Sequence, residues 1–360
     1  MGQGMTATNS VQGVFPPSAR MLLVGEAPGD EEVFRGTPFV GPSGKLLDSL
    51  LRVSGIDRAV VGVTNVFDVQ LPGNDLAAWC AQATERVTWV QYRIPPVDRA
   101  MNLRPEFGRH LDRLAQEIVG LRPNIVVALG GTAMWALTGA LSSEVTKRRG
   151  AVTMCSLPGC TGVKVIPTFH PAFVLRSYKA FPIVAADLIK AKGEEEFPEV
   201  RTTPRTLWVE PTLADLRTFK ERYLDPAEMI SIDIETIPKF RQITCVGFAP
   251  SAGVSICVPF VDWRRPNRCY WPTADEEAQA WAWVKGVCEG PAAKLGQNFT
   301  YDFQWLWTQG IAVRNYVHDT RLLHHALYPE LPKDLGFMGS MYAREGAWKM
   351  FRVKTEKGND

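Results

Sequence analysis

MLLVGEAPGDEEVFRGTPFVGPSGKLL, residues 21–47, decides the fold of the first half of this chain. Met21 to Val24 is a short apolar strand that breaks into a glycine- and proline-rich loop. Glu26 stands at the strand's C-terminal mouth, flanked by Gly25, Ala27, Pro28 and Gly29. A second loop, from Gly36 to Gly44, presents Phe39 before a helix predicted to start near Lys45. In open α/β sheets ligands bind outside the carboxyl ends of the strands. Tight backbone punctuation beside a carboxylate points to a shaped pocket. An ordinary βα turn with solvated Asp30, Glu31 and Glu32 accounts for the same residues equally well. A phosphate-binding loop is excluded. The segment from Gly41 to Leu46 has Phe39 where that motif needs its first Gly, and Leu46 where it needs Ser or Thr.

Working outward, 360 residues favour two domains. Apolar residues make up 46% of the chain, enough to build cores and to exclude wholesale disorder. A net charge of +2 gives no global field toward nucleic acid, so DNA binding has to come from local patches. Lys147-Arg148-Arg149 and Arg264-Arg265 are candidates. The seven Cys, at 80, 155, 160, 245, 257, 269 and 288, form no Cys-x-x-Cys pair. That argues against a disulfide framework and against the usual zinc or iron–sulfur spacings. No segment resembles a signal peptide or reaches transmembrane length, so a soluble cytoplasmic protein with no membrane partner is expected.

Residues 1–20 read as a flexible tail. From 21 to 192 strands and helices alternate. Strands are predicted near Met21–Val24, Ala59–Val66, Asn124–Leu129 and Val163–Ile166, with helices near Lys45–Ser54, Glu106–Leu121 and Thr132–Gly139. That alternation implies an α/β fold, a parallel sheet between two helical layers. Residues 72–104, Pro-punctuated, read as an insertion. The charged, aperiodic stretch 193–205 reads as a linker. From 206 to 360 the pattern changes to antiparallel strands near Met229–Ile234, Ile243–Ala249 and Val254–Val258. A helix near Ala274–Cys288, a strand at Lys294–Gly296, and helices from Thr300 and Thr320 follow.

Three more segments of the first half end at the same sheet edge as Glu26. One strand closes with Asn65, another with Gly130-Gly131, and the last with Thr168-Phe169-His170-Pro171. A carboxylate, an aromatic, an amide and an imidazole then meet at one mouth. The aromatic stacks on a planar ring and the amide reads its edge. The imidazole stabilises developing negative charge, and the carboxylate stabilises a cation or orients water. Removal of a flipped base requires this set.

Five stretches carry a resemblance: GEAPG (25–29), GTPFVGPSGKLL (36–47), TNV (64–66), LRPNIVVALGGTA (121–133) and TFHPAFVLRS (168–177). In this order they resemble the uracil-DNA glycosylase superfamily, most of all its family 4. The resemblance implies a three-layer α/β/α fold over residues 21–192 and uracil-containing DNA, single- or double-stranded, as partner. It gives Glu26 the catalytic acidic position, stacks Phe39 on uracil, and has Asn65 read the uracil edge. His170 stabilises the oxygen that becomes anionic, and Gly25, Ala27, Pro28 and Gly29 complete the substrate wall. Family 4 also implies an iron–sulfur cluster on four Cys. Here residues 1–20 have none, VFDVQLPGND follows Asn65 in place of a Cys-bearing stretch, and only Cys80 stands nearby. No cluster is expected.

In the second half, Ser231-Ile232-Asp233-Ile234-Glu235-Thr236 ends a strand with two carboxylates on one face. Paired carboxylates repel unless they share cations, which suggests a divalent metal site. DIET (233–236), NFTYD (298–302) and the segment 318–342 resemble the 3′–5′ proofreading exonuclease domain of family A DNA polymerases. That implies an RNase H-like fold with Asp233, Glu235 and Asp302 as catalytic metal ligands for Mg²⁺ or Mn²⁺. A fourth carboxylate is missing, because Gly346 stands where it is expected after Tyr342. Either the chain is the N-terminal part of a bacteriophage-type polymerase continuing beyond residue 360, or the gene ends early. Two functions follow: uracil excision coupled to a nuclease domain, or a non-catalytic DNA-scanning module on a proofreading domain.

Overall fold

Apolar β-rich runs flanked by amphipathic segments build the first half of the chain. The computed structural model describes residues 10–82, 96–99, 101–201 and 203–343. Two compact units emerge: Met1–Val200 together with Gly336–Asp360, and Arg201–Leu335. The first holds β1 (Met21–Gly25), α1 (Asp30–Arg35), α2 (Pro42–Val53), β2 (Gly62–Asn65), an antiparallel pair β3 (Cys80–Gln82) and β4 (Met101–Leu103), and α3 (Arg109–Leu121). After these come β5 (Ile125–Leu129), α4 (Gly131–Thr138), α5 (Val145–Arg148), β6 (Thr153–Met154), β7 (Lys164–Thr168), α6 (Pro171–Arg176) and α7 (Phe181–Glu194).

The main sheet has the order β2-β1-β5-β7-β6, and all pairs except β6–β7 are parallel. Every residue of β1 and β5 is buried, because helices cover both faces. Leu22 and Val24 join a core with Leu114 and Trp135. Met21 and Leu23 point the other way, to Leu47, Leu50 and Leu188. The chain runs from β1 outward to β2, then crosses to β5 on the other side of β1. The mouth between β1 and β5 is therefore a topological switch point, where open α/β sheets form a crevice.

Two local details differ from the sequence expectation. The second helix starts at Pro42, not near Lys45. Proline is at home in a first helical turn, where its missing N–H has no helical partner in any case. Residues 10–20 are not a loose tail, since Val14 and Val63 exchange two backbone bonds at 2.8 Å and Val11 is buried. Residues 1–9, residues 83–95 of the expected insertion, and Gly346 lie outside the described residues.

The second unit contains β8 (Thr206–Trp208), α8 (Leu213–Phe219), β9 (Met229–Ile237), β10 (Gln242–Ser251), β11 (Val254–Pro259), α9 (Ala274–Glu289), β12 (Ala293–Gly296), α10 (Thr300–Thr308), β13 (Tyr316–Asp319) and α11 (Thr320–Leu327). Its sheet runs β13-β12-β9-β10-β11-β8, antiparallel only across β9–β10 and β10–β11. Ile230, Ile232 and Ile234 pack inward with Phe248 and Val284, which turns Asp233 and Glu235 to the other face. A last helix, α12 (Leu335–Tyr342), belongs from Gly336 onward to the first unit, whereas the sequence reading carried the second domain through to 360. Among the described residues no helix is long and apolar enough to cross a membrane.

Candidate functional site

The parallel strands bring their loops to one edge, around a cavity of about 510 Å³. That volume lies in the usual range for small-ligand sites, about 300–1,000 Å³. Glu26, Ala27, Pro28, Gly29, Phe39, Asn65 and His170 all line it. Gly25 lies behind this wall. A Cβ there would stand 2.3 Å from Asn65 Oδ1 and 2.5 Å from Phe39 Cζ, so only glycine lets both side chains approach.

Each side chain is held by neighbours. Glu26 follows β1 and accepts a hydrogen bond from the Thr132 hydroxyl, which follows β5. This bond spans the switch point. Loop continuity is fixed by Val66 N to Gly25 O and Phe67 N to Glu26 O, both 2.9 Å. Arg113 Nη2 donates to the carbonyls of Asn65 at 2.6 Å and Val66 at 3.0 Å, pinning the end of β2. Glu32 ties the two glycine-rich loops together: it accepts from Gly29 N at 3.0 Å and Gly41 N at 2.9 Å. Phe39 takes a left-handed φ of 55°, rare for a side chain this large, and its ring centroid lies 5.9 Å from that of His170.

His170 caps α6. Its Nδ1 accepts from Ala172 N at 3.1 Å, so the remaining ring proton sits on Nε2. Burial pushes the imidazole down to about 4, helped by Arg176 and opposed by Glu32. At neutral pH the ring is uncharged, with Nε2 carrying its proton. Gly130, at φ 96°, lets the β5 loop pass close, since a Cβ there would stand 3.1 Å from His170 Cβ.

Several lining or bracing residues escaped the sequence reading: Thr132, Glu32, Arg113, Ser43 and Arg176. Glu32 alone had a local signal, an acidic residue three positions after Gly29 at a helix start.

The thiols of this unit do not fit an iron–sulfur cluster. Cys80, Cys155 and Cys160 are buried in its apolar core, and burial pushes the first two up to about 11 and about 12. A cluster needs four thiolates. After Asn65 the chain instead places an aromatic and ionic knot. His110 Nδ1 lies 2.6 Å from Asp68 Oδ1, and Trp79 stacks on Phe107 at 4.2 Å and on His110 at 5.4 Å. Ser10 Oγ and Val11 N bond Asp68 as well, which anchors the chain ahead of β1. Purified protein is expected to be colourless. A visible absorption band that scales with bound iron would show this wrong.

In the second unit, Asp233 and Glu235 share one face of β9 and are exposed, while Asp302 on α10 is buried and accepts from Ile234 N at 3.0 Å. Burial, then Asp233, pushes Asp302 up to about 7. Asp233, although on the exposed face, is raised by partial desolvation of its carboxyl and then by Glu235. Among the described residues, no three His, Cys, Asp or Glu side chains gather closely enough to hold a metal ion. Asp302 spends one oxygen on the strand backbone. Asp319 serves as the cap of α11. Burial raises its carboxyl, but N–H bonds from Phe299, Asn298 and Arg321 more than offset this and hold it below the ordinary value.

Asp302 titrates with a clear sign. Its folded value lies above its unfolded one, so ionising it costs stability from about pH 4 up to pH 7. Asp302→Asn keeps the bond from Ile234 N and removes that cost. It is expected to raise the denaturation midpoint at pH 8 and leave it unchanged at pH 4. Equal shifts at both pH values would contradict the assignment.

A parallel sheet with a carboxylate, an aromatic, an amide and a neutral imidazole around its switch point is an α/β arrangement suited to a small planar ligand. Residues 12–191, half of the chain, match the family described as the uracil DNA glycosylase superfamily. The Type-4 uracil-DNA glycosylase of Thermotoga maritima is 37% identical over 192 residues, covering 52% of this chain and 84% of that protein. The enzyme of the same name from Archaeoglobus fulgidus is 34% identical over 173 residues, covering 47% and 74%. This chain belongs to the uracil-DNA glycosylase superfamily. Among solved structures, the Aedes aegypti Nibbler EXO domain overlaps 45% of this chain and 81% of its own, at 11% identity and a TM-score of 0.32. An overlap that weak carries no argument about the second unit.

Proposed function

We propose that the first unit excises uracil from DNA by hydrolysing the N-glycosidic bond. The observation that carries this is the meeting of Glu26, Phe39, Asn65 and His170 around one cavity in a member of the superfamily. A flipped uracil stacks on Phe39, and the Asn65 amide pairs with its edge. As the bond breaks, electrons flow onto the base, and His170 Nε2–H donates to the oxygen that gains charge. Being neutral, the ring keeps its proton while polarising that oxygen. Glu26, its carboxylate fixed by Thr132, faces the sugar cation and orients the attacking water. Incubation with a uracil-containing oligonucleotide, then alkali, tests this. Breakage at uracil supports the enzyme; binding without breakage supports a scanning module.

The same reading takes the second unit as a proofreading-type 3′–5′ exonuclease domain in a polymerase-like context, with an incomplete site. Its support is the pairing of Asp233 and Glu235 on β9 and the upward shift of Asp302, to which Asp233 contributes. Residues 1–360 are expected to bind Mn²⁺ weakly and to degrade DNA little. Brisk Mg²⁺-dependent degradation, abolished by Asp233→Ala, would overturn that expectation.

A further inference from the structure

A cluster of buried charge lies behind the strand that leads to His170. Arg149 and Asp187 are both buried, at 1% and 0% exposure. Arg149 Nε donates to Asp187 Oδ2 at 2.9 Å, and its Nη2 donates to Oδ1. Thr168 Oγ1 donates to Asp187 Oδ2 at 2.7 Å. Lys190, also buried, donates to the Gly150 carbonyl at 3.1 Å. Two cations thus face one carboxylate. Surplus charge in an apolar interior is costly unless further dipoles meet it.

Those dipoles come from α12. Ser340 Oγ accepts from Arg149 Nη1 at 2.8 Å, and the Ser340 carbonyl accepts from Lys190 Nζ. The Phe337 ring covers the Arg149 guanidinium at 5.7 Å. Ser340 stands in the last turn of the helix, where carbonyls lack partners inside the helix and the helix dipole is negative. A helix C-terminus is the partner that a net-positive socket selects.

At its other end the socket reaches the cavity. Thr168 closes β7, and its carbonyl accepts from Gly130 N at 2.9 Å. Pro167 O accepts from Gly150 N at 2.8 Å. His170 follows two residues later, with Gly130 against its Cβ.

We propose that α12 is a seated latch for the uracil site: Phe337 and Ser340 hold Arg149, Arg149 holds Asp187, and Asp187 holds the Thr168 strand end that presents His170. Arg149, Asp187 and Ser340 are positioning residues, and none of them touches the base. The proposal rests on the role given to His170 above.

Two full-length proteins test it, the double variant Phe337→Ala/Ser340→Ala and the single variant Asp187→Asn, which keeps the shape of the side chain. The first readout is the imidazole titration of His170 by NMR, assigned with a His170→Gln protein. The second is uracil release. In both variants the His170 midpoint is expected to climb from about 4 toward its ordinary value, as the ring gains freedom and solvent. The kcat is expected to fall about tenfold with KM nearly unchanged. Ser340→Thr, which keeps the hydroxyl, restores both. Wild-type titration and wild-type rate in Asp187→Asn overturn the latch, and this holds even if the double variant fails to fold. A shifted titration in a protein whose parent releases no uracil upholds the latch and overturns the proposed function instead.

Discussion

Uracil release by the His170→Ala protein is expected to fall by roughly a hundredfold, since losing one donor to a developing oxyanion costs about 3 kcal/mol. The side chain has one proton to give, because Nδ1 is occupied by Ala172 N. Removing the ring also removes the cap of α6, worth about 1 kcal/mol of stability. His170→Asn keeps a capping side chain, and so separates the loss of rate from the loss of stability. Glu26→Gln is expected to lose rate on a similar scale with its fold intact, as the amide still accepts from Thr132 but no longer carries charge. Single-turnover release with unchanged far-ultraviolet circular dichroism is the check. Near-wild-type rates in both proteins would sink the assignment of the site.

Gly44→Ala is expected to damage the site from outside the cavity. A Cβ at that position would stand 1.9 Å from the Phe39 carbonyl oxygen and 2.2 Å from its carbon. Both are backbone atoms, so the loop has to move. Phe39 already holds a φ of 55°, which leaves little room to absorb the shift. The Phe39 ring, proposed above to stack on the base, is displaced, and kcat/KM is expected to fall at least about tenfold, since small misplacements are costly in a pre-organised site. Ser49→Ala, a half-buried change on the same helix, is the control. Wild-type kcat/KM in Gly44→Ala would mean that the loop does not set the position of the ring.

Much of the fold was legible because both faces of its central strands are buried. Met21 to Val24 and Ile125 to Leu129 are continuous apolar runs for that reason, and their periods need no partner to be read. Asp233 and Glu235 were legible through the two-residue repeat of a strand. The bracing of the site was not. Thr132 reaches Glu26 across 106 positions, and Arg113 reaches Asn65 across 48. No local pattern encodes such bonds. The left-handed turn at Phe39 was hidden too, because sequence habit expects glycine there. The capping role of Asp319 was hidden as well: Asn298 N, Phe299 N and Arg321 N all donate to its carboxylate, the first two from twenty or more positions upstream. The helix from Leu335 to Tyr342 read as part of the second half because it follows it in the chain, while its contacts lie with the first.

That last helix also sets an order of events during synthesis. Lys190 precedes its partner Ser340 by 150 positions, and Arg149 precedes it by 191. At about 5–20 residues per second, a ribosome needs roughly 8–30 s after Lys190 to deliver the Ser340 carbonyl. Through that interval the nascent first unit holds two cations against one carboxylate, with the wall over them missing. Those contacts to Arg149 and Lys190 can form only after residues 201–335 have been synthesised. Slow codons between 201 and 335 would lengthen that exposure without changing any residue of the finished protein.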